Sequence, residues 1–190
     1  MLKEKLILAS RSPRRAEILG AVGWPFEAQA ANIDESRSEL EDAVSYVKRI
    51  AQMKAEAVAT KRSAGLVLGA DTIVVVEGAI LGQPRDAEDA RRMLKLLGGK
   101  WHEVFTGVAF VRSGEPKRSA VDCERTRVRF AELSATEIDW YVATGEPMGK
   151  AGAYAIQGRG ALFIEEIEGD YFNIVGLPVR LVYELVRAFC

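Results

Sequence analysis

The feature that most constrains the fold is an almost unbroken apolar run near the middle of the chain. Residues 66 to 76 read LVLGADTIVVV, and this composition predicts a strand that is buried on both faces of a sheet. Asp71 interrupts the run. An ionised carboxylate inside a buried strand is costly unless it is paired, hydrogen-bonded or bound to a metal. Asp71 is therefore a candidate functional residue, although Gly69 also allows the strand to leave the core at this point.

The remaining chain predicts an alternation of short strands and amphipathic helices. Further strands are expected at residues 5–10, 80–81, 104–111 and 119–130, with Ser113-Gly114 as a hairpin turn. Helices are expected at residues 13–21, 38–60, 86–97 and 134–143, and a last one starts at Pro178. The glycine-rich segment from Gly145 to Gly176 has little periodicity and is interpreted as a long ordered loop. With no repeat or linker, the length predicts a single domain, residues 1–190.

Composition excludes several classes of protein. Hydrophobic residues make up 48% and charged residues 28% of the chain, which is ordinary for a globular protein, and the formal net charge is −1. Balanced charge argues against binding to a nucleic acid polymer, and the absence of RNP-like aromatic residues argues against an RNA-binding module. No apolar stretch is long enough for a membrane span or a signal peptide, so we expect a cytoplasmic protein.

Few residues could support nucleophilic catalysis of the Ser-His or Cys-His kind. The chain has one histidine, His102, and two cysteines, Cys123 and Cys190, whose number and spacing fit neither a disulfide framework nor a zinc site. We interpret both cysteines as bystanders. Carboxylate and metal chemistry is the better hypothesis.

Two adjacent arginines lie in the first turn of the first predicted helix. A cation is unfavourable there because the helix dipole is positive at its N-terminus. With the hydroxyls of Ser10 and Ser12, Arg14 and Arg15 could form a phosphate cradle after a strand. The same spacing also fits two arginines that point to solvent.

Two further charged residues complete a candidate site. Lys54 lies on the apolar stripe of its predicted helix, where it either extends to the helix edge or points into a cleft. Glu35 precedes that helix and by itself reads as an exposed loop acid. Together with Asp71 and the arginines, these residues are the kind that metal-assisted phosphate hydrolysis requires.

Four blocks of the sequence resemble the Maf family of nucleotide pyrophosphatases. They are LASRSPRRAEIL from Leu8 to Leu19, GADTIVV from Gly69 to Val75, KAGAYAIQGRG from Lys150 to Gly160, and GDYFNIVGLP from Gly169 to Pro178. The resemblance implies an α/β fold with an elongated mixed β-sheet flanked by helices and two lobes with a central cleft, similar to inosine triphosphate pyrophosphatases. It also implies a homodimer.

The resemblance implies roles for the flagged residues. Asp71 would be the proton acceptor, and Arg14, Thr72 and Gln157 would govern the choice of nucleotide. A divalent cation, Mg²⁺ or Mn²⁺, would be held by Glu35 and Asp71, and the remaining polar cleft positions would be Ser10, Arg15 and Lys54.

The implied reaction is hydrolysis of a nucleoside triphosphate to the monophosphate and pyrophosphate, in a house-cleaning role. The SPRR and KAGAYAIQG blocks look more like the branch that acts on dTTP and UTP than the branch that favours 7-methyl-GTP, and modified pyrimidine nucleotides would also fit. One departure is Gln83, where family members commonly carry a lysine. The alternative function is a nucleotide-binding regulator of septum formation without significant turnover.

Overall fold

The computed structural model describes residues 4–38, 40–114 and 118–189, and Cys190 lies outside them. Its strands are β1 Leu6–Leu8, β2 Phe26–Ala28, β3 Gly65–Val76, β4 Ala79–Leu81, β5 Trp101–Ser113, β6 Arg118–Phe130 and β7 Ile164–Glu168. Its α-helices are α1 Pro13–Ala21, α2 Ala43–Ala59, α3 Ala87–Leu97, α4 Ala135–Ala143, α5 Tyr171–Val175 and α6 Val179–Val186. Short 3₁₀ turns lie at Ala151–Ala153, Arg159–Phe163 and Arg187–Phe189.

The strands form one seven-stranded sheet with the order β2-β1-β3-β5-β6-β7, and β4 pairs with β3. The sheet is mixed: β1 pairs in parallel with β2 and β3, whereas β4 and β7 pair antiparallel with β3 and β6. The predicted continuous strand is β3, and the apolar residues of the run from Leu66 to Val76 are buried except Val75, which is half-buried. The described helices include none that is long and apolar enough to cross a bilayer.

Contacts divide the chain into two compact units. The first comprises residues 1–71, 106–124 and 176–190, and the second comprises residues 72–105 and 125–175. Each unit has a hydrophobic core of its own. The first unit's core includes Ile7, Ala51, Val58 and Val67, and the second unit's core is built around Leu94, Val104, Phe130 and Tyr141.

Two glycines bring helix α2 against the sheet of the first unit. A Cβ atom at Gly69 of β3 would lie 2.1 Å from the carbonyl oxygen of Ala51, and one at Gly107 of β5 would lie 2.2 Å from that of Val47. No side chain fits at either position, so both strands approach the backbone of α2 directly. This approach sets the distance between the side chains of α2 and those of β3.

The predicted helix starts follow their capping residues. Asp86 accepts a hydrogen bond from the backbone N–H of Asp89 at 2.8 Å, and Ser134 and Glu137 form the predicted capping box before α4. Pro178 precedes α6. Helix α2 begins at Ala43, five residues later than predicted, because Asp42 accepts from the N–H groups of its first turn.

The predicted loop from Gly145 to Gly176 is partly wrong, because it contains β7 and α5. Strand β7 reads IEEIE and pairs with β6 through a register shift between Arg129 and Phe130. It therefore lacks the strict alternation from which a strand is predicted. Helix α5 spans five residues, too few to show a helical period. Strand β2 is not predicted either, because its three residues are too few to show an alternating pattern.

Candidate active site

Asp71 lies within β3 and not at its end. The alternative, in which the strand leaves the core at this point, is therefore wrong. Asp71 is 7% exposed. Its Oδ1 accepts a hydrogen bond from Lys54 Nζ at 2.7 Å. The Lys54 side chain is itself only 12% exposed, so it pairs with a buried carboxylate and does not extend to solvent at the helix edge. The close approach of α2 to Gly69 brings the two side chains within reach.

A second carboxylate contacts the same ammonium group. Glu35 Oε1 lies 3.0 Å from Lys54 Nζ, and its side chain is half-exposed. The segment that carries Glu35 is attached to α2, because the Tyr46 hydroxyl donates to the Glu35 carbonyl oxygen at 2.8 Å. Arg49 of the same helix donates to the Ser36 carbonyl oxygen at 3.0 Å. Glu35 therefore has a backbone position defined by the helix that presents Lys54.

The electrostatics of this group are dominated by the burial of Asp71. Burial raises the pKa of the Asp71 carboxyl above its ordinary value, and the positive charges of Lys54 and Arg15 offset this only in part. Burial, followed by the negative charges of Asp71 and Glu35, raises the pKa of Tyr46 to about 12. Tyr46 therefore stays protonated at neutral pH and remains a hydrogen-bond donor.

The N-terminus of α1 carries the two arginines in different environments. Arg15 is buried, and it donates through Nε to the Gly176 carbonyl oxygen at 2.8 Å and through Nη1 to Ser10 Oγ at 3.3 Å. Burial lowers its pKa, against the attraction of Asp71 and Glu35. Arg15 therefore faces the carboxylate group and not solvent.

Arg14 is half-buried, and burial lowers the pKa of its guanidinium. Within the described ranges its only favourable electrostatic partner is Glu17, one turn along the helix. Ser12 is the N-cap residue but makes no side-chain capping bond. Instead, its own N–H donates to Ser10 Oγ at 3.1 Å. Arg14 and the first turn of α1 thus retain donors that a bound anion could use.

The structure brings six of the eight predicted site residues into one compact unit. They are Ser10, Arg14, Arg15, Glu35, Lys54 and Asp71. The other two, Thr72 and Gln157, belong to the second unit. Thr72 follows Asp71 on β3 and is half-buried, whereas Gln157 lies in an exposed turn before the second 3₁₀ segment.

Sequence reasoning missed Tyr46 and Arg49, which hold the segment of Glu35. No motif marks them, because their partners are backbone carbonyl oxygens whose positions depend on the irregular path before α2. The bidentate ion pair between Arg49 and Glu41, with both N···O distances at 2.7 Å, anchors that path. A charged pair eight residues apart carries no recognisable periodic signal.

Glu35 and Asp71 are the carboxylates of this site that could hold a metal. Their oxygens converge on one point, now taken by Lys54 Nζ. The described ranges contain no group of three or more His, Cys, Asp or Glu side chains that could hold a metal ion by themselves. Any cation bound here would therefore need further oxygen ligands from water or a substrate.

Comparison with known proteins assigns the family. A family model described as Maf-like protein matches residues 5–189. The chain is 50% identical over 186 residues to the dTTP/UTP pyrophosphatase of Symbiobacterium thermophilum, covering 98% of this chain and 94% of that protein. It is 53% identical over 186 residues to the dTTP/UTP pyrophosphatase of Anaeromyxobacter sp., covering 96% of this chain and 88% of that one.

The fold has a counterpart among solved structures. The Staphylococcus aureus Ham1 protein is similar with a TM-score of 0.56 at 12% identity, covering 98% of this chain and 100% of that one. At this identity the likeness concerns the fold alone, and it confirms the predicted α/β class with a mixed sheet flanked by helices. The family model and the two relatives, which match almost the whole chain, lead to one conclusion: the chain belongs to the Maf-like protein family.

Proposed function

We propose that the chain hydrolyses pyrimidine nucleoside triphosphates, dTTP and UTP among them, to the monophosphate and pyrophosphate in a house-cleaning role. Modified pyrimidine nucleotides belong to the same substrate class. The observation that carries the proposal is the buried Asp71 carboxylate, held by Lys54 at 2.7 Å beside Arg15. The names of the relatives, dTTP/UTP pyrophosphatases, support the substrate.

Asp71 is the base in this proposal. The bond from Lys54 is made to Oδ1, so Oδ2 is the oxygen that accepts a proton from the attacking water. The water oxygen forms a bond to the α-phosphorus while the bond from that phosphorus to the bridging oxygen of pyrophosphate breaks. The raised pKa of Asp71 makes it a stronger base than an ordinary carboxylate.

The cationic side chains stabilise negative charge on the triphosphate. Arg14 and the N-terminus of α1 would bind phosphate oxygens, with Arg15 and Lys54 adding positive charge close to Asp71. Preorganised positive groups of this kind supply the larger part of catalysis in phosphoryl-type transfer. Ser10 orders this group, since it accepts from both Ser12 N–H and Arg15.

Glu35 and Asp71 fit a divalent cation. Mg²⁺ is usually held by one or two carboxylates together with substrate phosphates and water, and the two carboxylates here already converge on a single positive group. When bound, Mg²⁺ or Mn²⁺ supplies charge neutralisation to the phosphate oxygens and acidifies water.

The choice of nucleotide belongs to Arg14, Thr72 and Gln157 in this proposal. The Gln157 amide offers both a donor and an acceptor to the edge of a base. The homodimer and the cytoplasmic location stay predictions from the sequence.

A nucleotide panel with separate detection of phosphate and pyrophosphate tests the reaction. We expect stoichiometric pyrophosphate from dTTP and UTP, no inorganic phosphate, and much slower reaction of purine nucleotides. Tight binding of dTTP without release of pyrophosphate would refute the proposal and would support a regulator without turnover.

Chelation tests the metal. Excess chelator should abolish pyrophosphate release, and Mg²⁺ or Mn²⁺ should restore it, since a site of oxygen ligands selects hard cations. The paramagnetic effect of Mn²⁺ on water relaxation measures metal binding to the Glu35→Gln variant independently of activity. Full activity in chelator would remove the metal from the mechanism.

A further inference from the structure

The carboxylate of Glu146, which follows α4, accepts three hydrogen bonds at once. Its Oε1 accepts from the backbone N–H of Gly160 at 3.1 Å and from the Tyr141 hydroxyl at 2.9 Å. Its Oε2 accepts from the backbone N–H of Arg159 at 3.0 Å. One side chain therefore holds the end of the turn that runs from residue 155 to residue 160.

The start of the same turn is held by Tyr141. The Tyr141 hydroxyl donates to Glu146 and accepts from the backbone N–H of Ala155 at 3.1 Å. Tyr141 lies on α4 and is fully buried, so its hydroxyl has a defined position. Glu146 and Tyr141 together form a clamp that attaches both ends of the turn to α4 and the residues after it.

Two glycines of the turn lie directly against this clamp. A Cβ atom at Gly158 would lie 2.5 Å from both carboxylate oxygens of Glu146, and one at Gly160 would lie 2.8 Å from the Tyr141 hydroxyl oxygen. Any side chain at either position would displace the turn or the clamp. The backbone on both sides of residue 159 is thus shaped to fit Glu146 and Tyr141.

The protonation states agree with this arrangement. Burial raises the pKa of Glu146, but the hydrogen bonds from Arg159, Gly160 and Tyr141 outweigh it, and the pKa lies below its ordinary value. Burial and the bond to Glu146 raise the pKa of Tyr141. At neutral pH the clamp is therefore an ionised acceptor with a protonated donor.

Gln157 lies between the two attached ends, and its side chain is exposed. We infer that Glu146 and Tyr141 are positioning residues that set nucleotide choice by fixing the turn that presents Gln157. This inference rests on the proposed function, in which the Gln157 amide reads the base. An amide distinguishes bases only if its donor and acceptor are held in register with the base edge, so a loose turn should lose discrimination more than affinity.

Binding of triphosphate analogues that cannot be hydrolysed tests the inference without requiring turnover. The probes are the α,β-imido analogues of dTTP and dGTP, with Kd measured by calorimetry for the wild type, Glu146→Gln and Tyr141→Phe. We expect the ratio of Kd for the dGTP analogue to Kd for the dTTP analogue to fall roughly tenfold in both variants, because each variant loses hydrogen bonds to the turn. Tyr141→Phe retains the buried ring, so it carries the test if Glu146→Gln does not fold.

Glu137→Gln is the matched control. Glu137 lies on the same helix, and its carboxylate also accepts from a backbone N–H and a hydroxyl, both of Ser134. It does not touch the turn, so its Kd ratio should equal that of the wild type. Hydrogen exchange at the amides of Ala155, Arg159 and Gly160 should quicken in Glu146→Gln and stay unchanged in Glu137→Gln.

Two results would overturn the inference. One is an unchanged Kd ratio in both clamp variants, whether or not both affinities fall, and the other is wild-type protein that binds neither analogue. The proposed function fails separately: selective binding by wild-type protein that releases no pyrophosphate from dTTP would refute hydrolysis, while the Kd ratios would still decide the role of the clamp.

Discussion

Burial raises the pKa of two carboxylates in this molecule, but their net pKa shifts are opposite. Asp71 lies in a strand of the first unit, where its hydrogen-bond donor is Lys54, and its pKa is raised. Glu146 lies after a helix of the second unit, where backbone N–H groups and a hydroxyl surround it, and its pKa is lowered. The fold thus favours protonation of the first carboxylate and ionisation of the second.

The difference lies in what satisfies each charge. Three hydrogen bonds meet both oxygens of Glu146, so they offset its desolvation and also rigidify the turn. Asp71 relies mainly on its ion pair with Lys54, which is made to one carboxylate oxygen and leaves the other for proton transfer. The effect of burial therefore dominates the pKa of Asp71. A general base such as Asp71 needs one carboxylate oxygen that can still accept a proton. A carboxylate that anchors a turn, such as Glu146, needs hydrogen bonds to both oxygens. Asp71 should therefore control rate, and Glu146 should control selectivity.

The largest expected effect is that of Asp71→Asn. The change is isosteric, so the fold should persist, while loss of the base should lower turnover of dTTP at least about hundredfold. Steady-state pyrophosphate release and a thermal unfolding curve measure both quantities.

Asp122→Asn is the control for this prediction. Asp122 is exposed and pairs at 2.8 Å with Lys48, which lies on α2 as Lys54 does. Turnover of Asp122→Asn should stay within about twofold of the wild type, since exposed ion pairs contribute little. Near-normal turnover in Asp71→Asn would show that another group accepts the proton.

The next effect separates the two arginines in the first turn of α1. Arg14→Ala should raise KM for dTTP about thirtyfold without lowering Tm, because Arg14 sits unfavourably at a helix N-terminus and donates to no carbonyl oxygen in the part of the chain that the structure describes. Arg15→Ala should also lower stability, by about 1–3 kcal/mol, since it leaves the Gly176 carbonyl oxygen without its buried donor.

Kinetics and thermal unfolding of the two variants together make the check. A large drop in Tm for Arg14→Ala would mean that this arginine supports the fold. An unchanged Tm for Arg15→Ala would mean that its bond to Gly176 contributes nothing to stability.

The two regions also differ in how far the sequence revealed them. Arg14, Lys54 and Asp71 each conflict with their local pattern, and such conflicts are visible without a structure. Glu146 conflicts with nothing, because a glutamate between Gly145 and Pro147 is unremarkable in a predicted loop. Its role depends on backbone N–H groups more than ten residues away, and no periodicity encodes that distance.

A smaller effect should come from adding charge to the second unit. Gln83 is exposed and belongs to this unit, and family resemblance places a lysine there. Arg85, the nearby cation, contacts Asp89 at 3.4 Å, so part of its charge is already engaged. Gln83→Lys should therefore raise kcat/KM for dTTP by about tenfold, with the gain shrinking at high salt. Kinetics at two ionic strengths measure it, and an unchanged kcat/KM at low salt would show that no charge was missing.

The smallest effect tests the contrast between the carboxylates directly, through the pH dependence of stability in nucleotide-free, chelator-treated protein. Because the pKa of Asp71 is raised in the fold, the folded state takes up a proton there before the unfolded chain does, so ionised Asp71 costs stability at neutral pH and the cost disappears as pH falls. The lowered pKa of Glu146 has the opposite sign: its contribution is present above the ordinary pKa and is lost as pH falls through the lowered value. Between about pH 7 and pH 4, the Tm of the wild type should rise relative to Asp71→Asn and fall relative to Glu146→Gln, each by less than about 3 °C. Differential scanning calorimetry of the three proteins resolves these shifts, and two shifts of the same sign would end the distinction between a poised base and a fixed anchor.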